Sequence, residues 1–433
     1  MTLSSALKAE TLIQAESEPP LCSKPRIEEE EEPPSKRSLS IKERFLSKVP
    51  LKDWDSWKWQ FRNRITTVEE LTKYIPLSSK EQAEIKLVMG RYPFSITPYY
   101  LSLINPADKH DPIRMQGVPC FEEITMADMG EDDPLEEKRD SVVPGLVHRY
   151  PDRVLMVLTD ICPMFCRHCT RKREWQNGGW VRPVEEIEPM LDYIRNHPEV
   201  RDVIISGGDV LTLSTDRLEK VLYKLRKIEH VEIIRIGSRY PVVLPQRIDA
   251  ELCDMLSNYG PIWFNTHFNH PNEITPEAAK AVDMLVRAGV PVNNQTVLLR
   301  GINDTVEIQL ALAHKLLKSK VRPYYLFQCD EVRGTEHLRT PVETGINIID
   351  GMRGHTSGLA VPTFVIDLPS GGGKVPLQPD YVLSHTPERL ILRNYQNHIM
   401  TFRNPGAGTN DKATAEPRIE EAARNEDRAL VRS

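Results

Sequence analysis

The chain has 433 residues, 40% hydrophobic and 27% charged, with 56 basic against 62 acidic side chains and a net charge of −6. That mixture suits a folded soluble protein of roughly three average domains, and it lacks the broad basic footprint that nucleic acid or an anionic lipid surface needs. Seven cysteines are too few and too unevenly spread for a secreted disulfide scaffold.

The opening MTLSSALKAETLIQAESEPP places Lys8 and Glu10 where a secretion signal keeps an apolar stretch. No apolar run approaches the ~18–20 residues that span a bilayer, so a cytoplasmic protein without membrane partners is expected. Pro19-Pro20, the acidic run Glu28–Glu32 and Pro33-Pro34 bury too little apolar surface to offset their ordering entropy. Residues 1–46 are therefore expected to be a disordered acidic tail.

Residues 47–148 read as a helical and then irregular segment. In DWDSWKWQFRNRI, Trp54, Trp57 and Phe61 recur at i, i+3 and i+7, the spacing of a helix packed on a core. Pro112, Pro119, Pro134 and Pro144 break the acidic stretch that follows. Residues 149–335 then alternate. Strand-like runs at Val154–Thr159, Val203–Ser206, Val231–Ile236, Ile262–His267, Val292–Leu299 and Pro323–Gln328 are separated by helical stretches. Six βα units in succession predict a parallel sheet curled into a partial (β/α)6 barrel with its active residues at the strand C-termini; a doubly wound open sheet is the competitor. Residues 336–404 form a C-terminal segment with a helix-like ETGINIIDGMRG, a strand-like TFVIDL and a Gly-rich PSGGGKVPL, and 405–433 a mobile polar tail.

Three motifs carry chemistry. Cys162, Cys166 and Cys169 lie in DICPMFCRHCTRKR at C-x3-C-x2-C spacing, directly after the first barrel strand. Three thiolates on one loop can hold three corners of an iron–sulfur cluster and leave one iron open, whereas structural zinc usually closes with four ligands. His168 is the only candidate fourth ligand within the loop. Arg167, Arg171, Lys172 and Arg173 beside the thiols are expected to depress their pKa values. After the second strand, Ser206, Gly207, Gly208 and Asp209 pair two glycines, which let backbone approach a ligand, with a carboxylate able to accept from an ammonium. Lys374 follows Gly371–Gly373, where a flexible loop suits a Schiff-base amine; Val375 and Pro376 after it exclude a P-loop. Arg149, Tyr150 and Arg153 in HRYPDR can clamp a phosphate.

The cysteine loop resembles the signature of the radical S-adenosylmethionine enzymes. From about Trp54 to Phe402 the chain resembles one family among them, lysine 2,3-aminomutase, through DWDSWKWQFRNRI, VPGLVHRYPDRVL, SGGD, RIGSRYPVVLPQRI, NTHFNHPNEIT, NQTVLLRGIND, QCD and GGGK. The resemblance implies a [4Fe–4S] cluster on the three cysteines, S-adenosylmethionine held by Ser206, Gly207, Gly208, Asp209, His267 and Gln295, and pyridoxal 5′-phosphate on Lys374 with its phosphate on Arg149, Tyr150 and Arg153. It also implies an isomerase that interconverts L-lysine and β-lysine: a 5′-deoxyadenosyl radical takes hydrogen from Cβ, and the amino group migrates as a pyridoxal imine. Arg171 is expected to take the substrate carboxylate, and Asp330 and Asp367 the distal ammonium. Two acids at those places disfavour glutamate, while arginine, or a radical enzyme that is not a mutase, is the alternative. A reductant such as flavodoxin or ferredoxin and a homo-oligomer are further implications. Two features depart from the family. No cysteine follows Phe402 and Thr305 stands in GINDTVEI, against a C-terminal zinc site, and Phe327 replaces a tyrosine before QCD.

Overall fold

The computed structural model describes residues 39–176 and 178–404. The tail expected from 405 onward, and residues 1–38 of the tail expected at the start, lie outside the described residues. The end of that first tail differs from expectation, because Ile41–Leu46 is a helix. Ser40 and Glu43 form a capping box there, which satisfies two otherwise orphaned N–H groups. Ile41 and Phe45, one turn apart, are both buried, and the Phe45 ring stacks on Tyr74 with centroids 4.2 Å apart.

The tryptophan stripe makes two helices rather than one, Leu51–Trp54 and Trp57–Arg62. Ser56 interrupts it by accepting from Trp59 N and so starting a new helix. Trp54 is buried, Trp57 and Phe61 pack on the core, and Gln60 ties Trp54 O to Tyr99 N.

The βα alternation builds one sheet. Its strands are β1 (Ser141–Val143), β2 (Leu146–Tyr150), β3 (Arg153–Val157), β4 (Asp202–Ser206), β5 (Ile233–Gly237), β6 (Ile262–Thr266), β7 (Val292–Leu298), β8 (Val321–Gln328), β9 (Thr363–Leu368) and β10 (Gly373–Pro376). Spatial order follows chain order, with β3 to β9 parallel and β1, β2 and β10 antiparallel to their neighbours. A strand order that never reverses rules out the doubly wound alternative, because right-handed crossovers then put every helix on one face and curl the sheet. Among the described residues no ladder joins β10 to β1 or β2, so the barrel is partial. The gap is spanned by side chains: Lys374 N donates to Tyr150 OH at 3.0 Å, and Arg139 Nη1 to Ser370 O at 3.0 Å. The sheet exceeds the six strands read from the sequence, since the hairpins at 141–157 and 363–376 extend it at both ends. A separate three-stranded meander follows, β11 (Val382–His385), β12 (Arg389–Arg393) and β13 (Ile399–Arg403).

Period-two alternation sorts the side chains. On β3, β4 and β5, Val154, Met156, Val203, Ile205, Ile234 and Ile236 are buried in the hydrophobic core. Their neighbours Arg153, Leu155, Asp202, Ile204, Ser206, Arg235 and Gly237 line a central cavity. On the other flank, the helix Val342–Met352 lies so close to β9 that a Cβ on Gly345 would sit 2.2 Å from the Phe364 ring. Gly345→Ala is expected to lower stability by about 1–3 kcal/mol through overpacking, read as an earlier urea midpoint with unchanged slope.

Candidate active site

Every site residue read from the sequence lines one cavity of about 580 Å3 inside the curl of the sheet. The cysteine loop leaves the C-terminal end of β3 and is pinned by the N-terminal segment. Arg64 Nη1 donates to Cys162 O at 2.8 Å, Phe165 N to Ser95 O at 3.0 Å and Arg167 N to Gln116 O at 2.9 Å. Cys162 and Cys169 are not acidified as expected. Burial, with repulsion from the other thiols, pushes Cys162 well above its ordinary value and Cys169 up to about 11. The basic residues around them are already neutralised. Arg167 and Lys172 share the fully buried Glu123, at 2.6 and 2.7 Å, and Arg171 and Arg173 share Glu137. Thiolates here need the charge of bound iron.

One charged donor reaches this sulfur-rich corner. Arg239 Nη1 lies 2.8 Å from Cys166 Sγ. His168 Nε2 accepts from Asn269 Nδ2 at 3.2 Å, so the histidine is not a ligand through that nitrogen. Its proton must then sit on Nδ1, which is buried without a partner. Among the described residues no three His, Cys, Asp or Glu groups converge as a single ion requires.

The glycines of SGGD answer a closer neighbour than a ligand. Gly207 has φ +150°, and a Cβ on it or on Gly208 would sit 2.3 Å from Thr159 O or 2.4 Å from Asp160 C. They let β4 end against the backbone that launches the cysteine loop. Asp209 is engaged as well: its oxygens accept from Leu211 N at 3.1 Å and Arg239 N at 2.8 Å, and burial raises it to about 7. Ser206 faces the cavity beside them. His267 Nδ1 donates to the Gln295 carbonyl at 2.9 Å, and burial with the nearby Arg239 charge lowers it to about 4. The ring is neutral at pH 7, with Nε2 a bare acceptor.

At the other end of the cavity, Lys374 is on a strand rather than a loop. Ser370 and Gly371 adopt φ of 55° and 72° in the turn of the β9–β10 hairpin, and the register pairs Lys374 directly with Asp367. Nζ bonds both Asp367 oxygens, at 2.9 and 2.8 Å, and lies 5.2 Å from the Phe327 ring centroid. Across the gap, the Arg153 guanidinium stacks on Tyr150 at 4.0 Å, while Arg149 Nε bonds Asp140 at 2.8 Å. Arg153 Nη1 also donates to Asp152 at 3.0 Å, and among the described residues both guanidiniums keep further N–H groups without a partner. One amine, two guanidiniums and a phenol fit an aldehyde cofactor bearing a phosphate.

Asp330 follows β8. Among the described residues no hydrogen bond reaches its carboxyl, and burial together with the Asp367 charge raises it to about 7. Arg171 is not the open fork expected. Glu137 takes Nε and Nη2 at 3.0 and 2.7 Å, and Gly207 O takes Nη1 at 3.0 Å. Burial would raise Glu137, but the two arginines outweigh it and hold it at about 2. Of five guanidinium N–H groups, one on each of Nη1 and Nη2 is left for a second carboxylate.

Sequence reasoning missed Glu137 and Arg239. Arg239 stands inside RIGSRYPVVLPQRI, but nothing local to that motif points at Cys166, 73 residues away.

Comparison with known proteins agrees with this geometry. Residues 349–429 match the Lysine-2,3-aminomutase family and residues 156–309 the Radical SAM superfamily. The L-lysine 2,3-aminomutase of Clostridium subterminale is 56% identical over 82% of this chain and 85% of its own length. That of Fusobacterium nucleatum is 52% identical over 88% and 90%. A glutamate 2,3-aminomutase from Clostridioides difficile is 44% identical over 82% and 84%. Spanning most of such relatives at this identity, the chain belongs to the lysine 2,3-aminomutase family of radical S-adenosylmethionine enzymes.

Proposed function

We propose that this protein interconverts L-lysine and β-lysine by moving an amino group between Cα and Cβ. The observation that carries the reading is the meeting, in one cavity, of three loop cysteines, a lysine amine and two neighbouring carboxylates. Cys162, Cys166 and Cys169 would hold a [4Fe–4S] cluster, and Ser206, Gly207, Gly208, His267 and Gln295 would line the S-adenosylmethionine site. Lys374, Arg149, Tyr150 and Arg153 would hold pyridoxal phosphate. When bound, these groups supply radical hydrogen abstraction and a carbonyl carbon that carries the migrating nitrogen.

The chain's own residues then align and shield. Glu137 fixes the Arg171 guanidinium so that its remaining two N–H groups meet the substrate carboxylate from one direction. Asp367 holds the Lys374 ammonium until that amine is in covalent use, and its carboxylate is then free beside Asp330 for a substrate cation. Asp209 serves the turn after β4 and positions Arg239, with its oxygens given to backbone N–H groups. The curled sheet and the N-terminal helices keep bulk water from the reacting carbons.

Substrate recognition is pH-dependent in this reading. Asp330 sits at about 7, whereas the distal ammonium of lysine, at roughly 10.4, stays charged. Ionisation of Asp330 therefore strengthens binding, and the lysine KM is expected to fall as pH rises from 6 to 8. Asp330→Asn should raise KM about 10–100-fold at pH 8, the worth of one charged hydrogen bond, and flatten the pH dependence with cofactor loading intact. A wild-type KM independent of pH, or an unchanged KM in the variant, contradicts the assignment.

The direct test is anaerobic incubation with a reductant, S-adenosylmethionine and pyridoxal phosphate, offering lysine, arginine and glutamate in parallel. β-Lysine as the main product, without accumulating 5′-deoxyadenosine, is the expected result. A β-isomer of arginine alone would move the substrate assignment, and steady consumption of S-adenosylmethionine without an isomer would remove the mutase reading.

A further inference from the structure

Among the described residues, Cys166 is the one of the three cysteines met by a charged donor. Arg239, 7% exposed, follows β5 and reaches Cys166 Sγ with Nη1 at 2.8 Å. Its other nitrogens are fixed by a buried frame. Nη2 donates to Gln116 Oε1 at 2.6 Å and Glu273 Oε1 at 2.8 Å, and Nε to the His267 carbonyl at 3.1 Å. Tyr100 OH donates to the same Glu273 oxygen at 2.6 Å, and Glu273 is fully buried. By contrast, among the described residues Cys169 Sγ receives only a backbone N–H, from Arg171 at 3.4 Å. So elaborate a frame around one guanidinium fixes where its charge sits, and it sits on a cluster ligand.

We propose that Arg239 is a positioning residue that sets the reduction potential of the iron–sulfur cluster, by holding a charged N–H donor on Cys166. The proposal rests on the cluster reading above. Reduction adds one electron and increases negative charge on the sulfurs, so a donor and a positive charge there stabilise the reduced state and raise the potential. Glu273 works in the opposite sense by offsetting part of the guanidinium charge. Because Arg239 also holds the His267 carbonyl, the same side chain joins the cluster corner to the S-adenosylmethionine side of the cavity.

The test is a potentiometric titration of the reconstituted full chain, followed by electron paramagnetic resonance of the reduced cluster, with iron and sulfide measured on each sample. Arg239→Gln is expected to shift the midpoint to more negative potential at wild-type iron content. Arg239→Lys keeps a charge but cannot reach Cys166 and Glu273 together, and should shift it less in the same direction. Glu273→Gln leaves the guanidinium less compensated and should shift the midpoint upward, a sign that general damage to the fold does not produce. If Arg239→Gln fails to assemble a cluster, the other two variants decide. Midpoints equal to wild type in both Arg239→Lys and Glu273→Gln, with iron intact, overturn the proposal. A wild-type protein that binds no iron and sulfide defeats the cluster reading instead.

Discussion

Cys166→Ala is expected to lose bound iron and sulfide and to turn over no lysine above background. Two thiols then remain on the loop, and the described residues offer no replacement, since His168 Nε2 is taken by Asn269. The fold should survive. Arg239 keeps its ion pair with Glu273 at 2.8 Å, and the loop keeps its backbone ties to Ser95 and Gln116. The informative controls are Cys253→Ala and Cys329→Ala, both buried and both outside the cavity. They should retain iron. A Cys166→Ala protein that still isomerises lysine would show that the loop does something else.

Lys374→Ala carries the second large expectation: no visible absorbance from protein-bound pyridoxal phosphate and no detectable isomerisation, with iron content unchanged. Lys374 is the only lysine lining the cavity among the described residues, so no neighbouring amine can substitute. The change also removes the cation between two carboxylates. Asp330 already sits at about 7, with Lys374 pulling it down, and without that cation Asp330 is expected to hold its proton at neutral pH. Retained absorbance would place the cofactor amine elsewhere. Together the two variants separate the centres, because each should lose one bound group and keep the other.

The parallel strands were legible because period-two alternation and the turn residues between runs are local signals, and the six strands read from the sequence are β3 to β8. The extra strands at each end were harder to read. SVV is too short to show a period, and TFVIDL is recognisable as a strand but not as the next member of the sheet. The cysteines and Lys374 could be found because their chemistry needs that residue type. What stayed hidden was how each charge is spent. Arg171 looks like a free fork until Glu137, 34 residues upstream, folds onto it. The thiols look activated until Glu123 and Glu137 absorb the surrounding cations. The glycines of SGGD look like a ligand cradle alone until the Thr159–Asp160 backbone is seen to need their missing Cβ atoms as well. Burial and countercharge are tertiary quantities, and a linear pattern of residue types does not contain them.

The direct pairing of Lys374 with Asp367 across the β9–β10 hairpin makes turn length as consequential as the lysine itself. Side chains alternate faces along a strand, so one residue added to or removed from the Pro369–Gly372 turn would rotate Lys374 away from the cavity while leaving its sequence neighbours intact. The number of peptide units in the bend is thus as constrained as the glycines that let it turn, Gly371 at φ 72° and Gly373 at φ 80°.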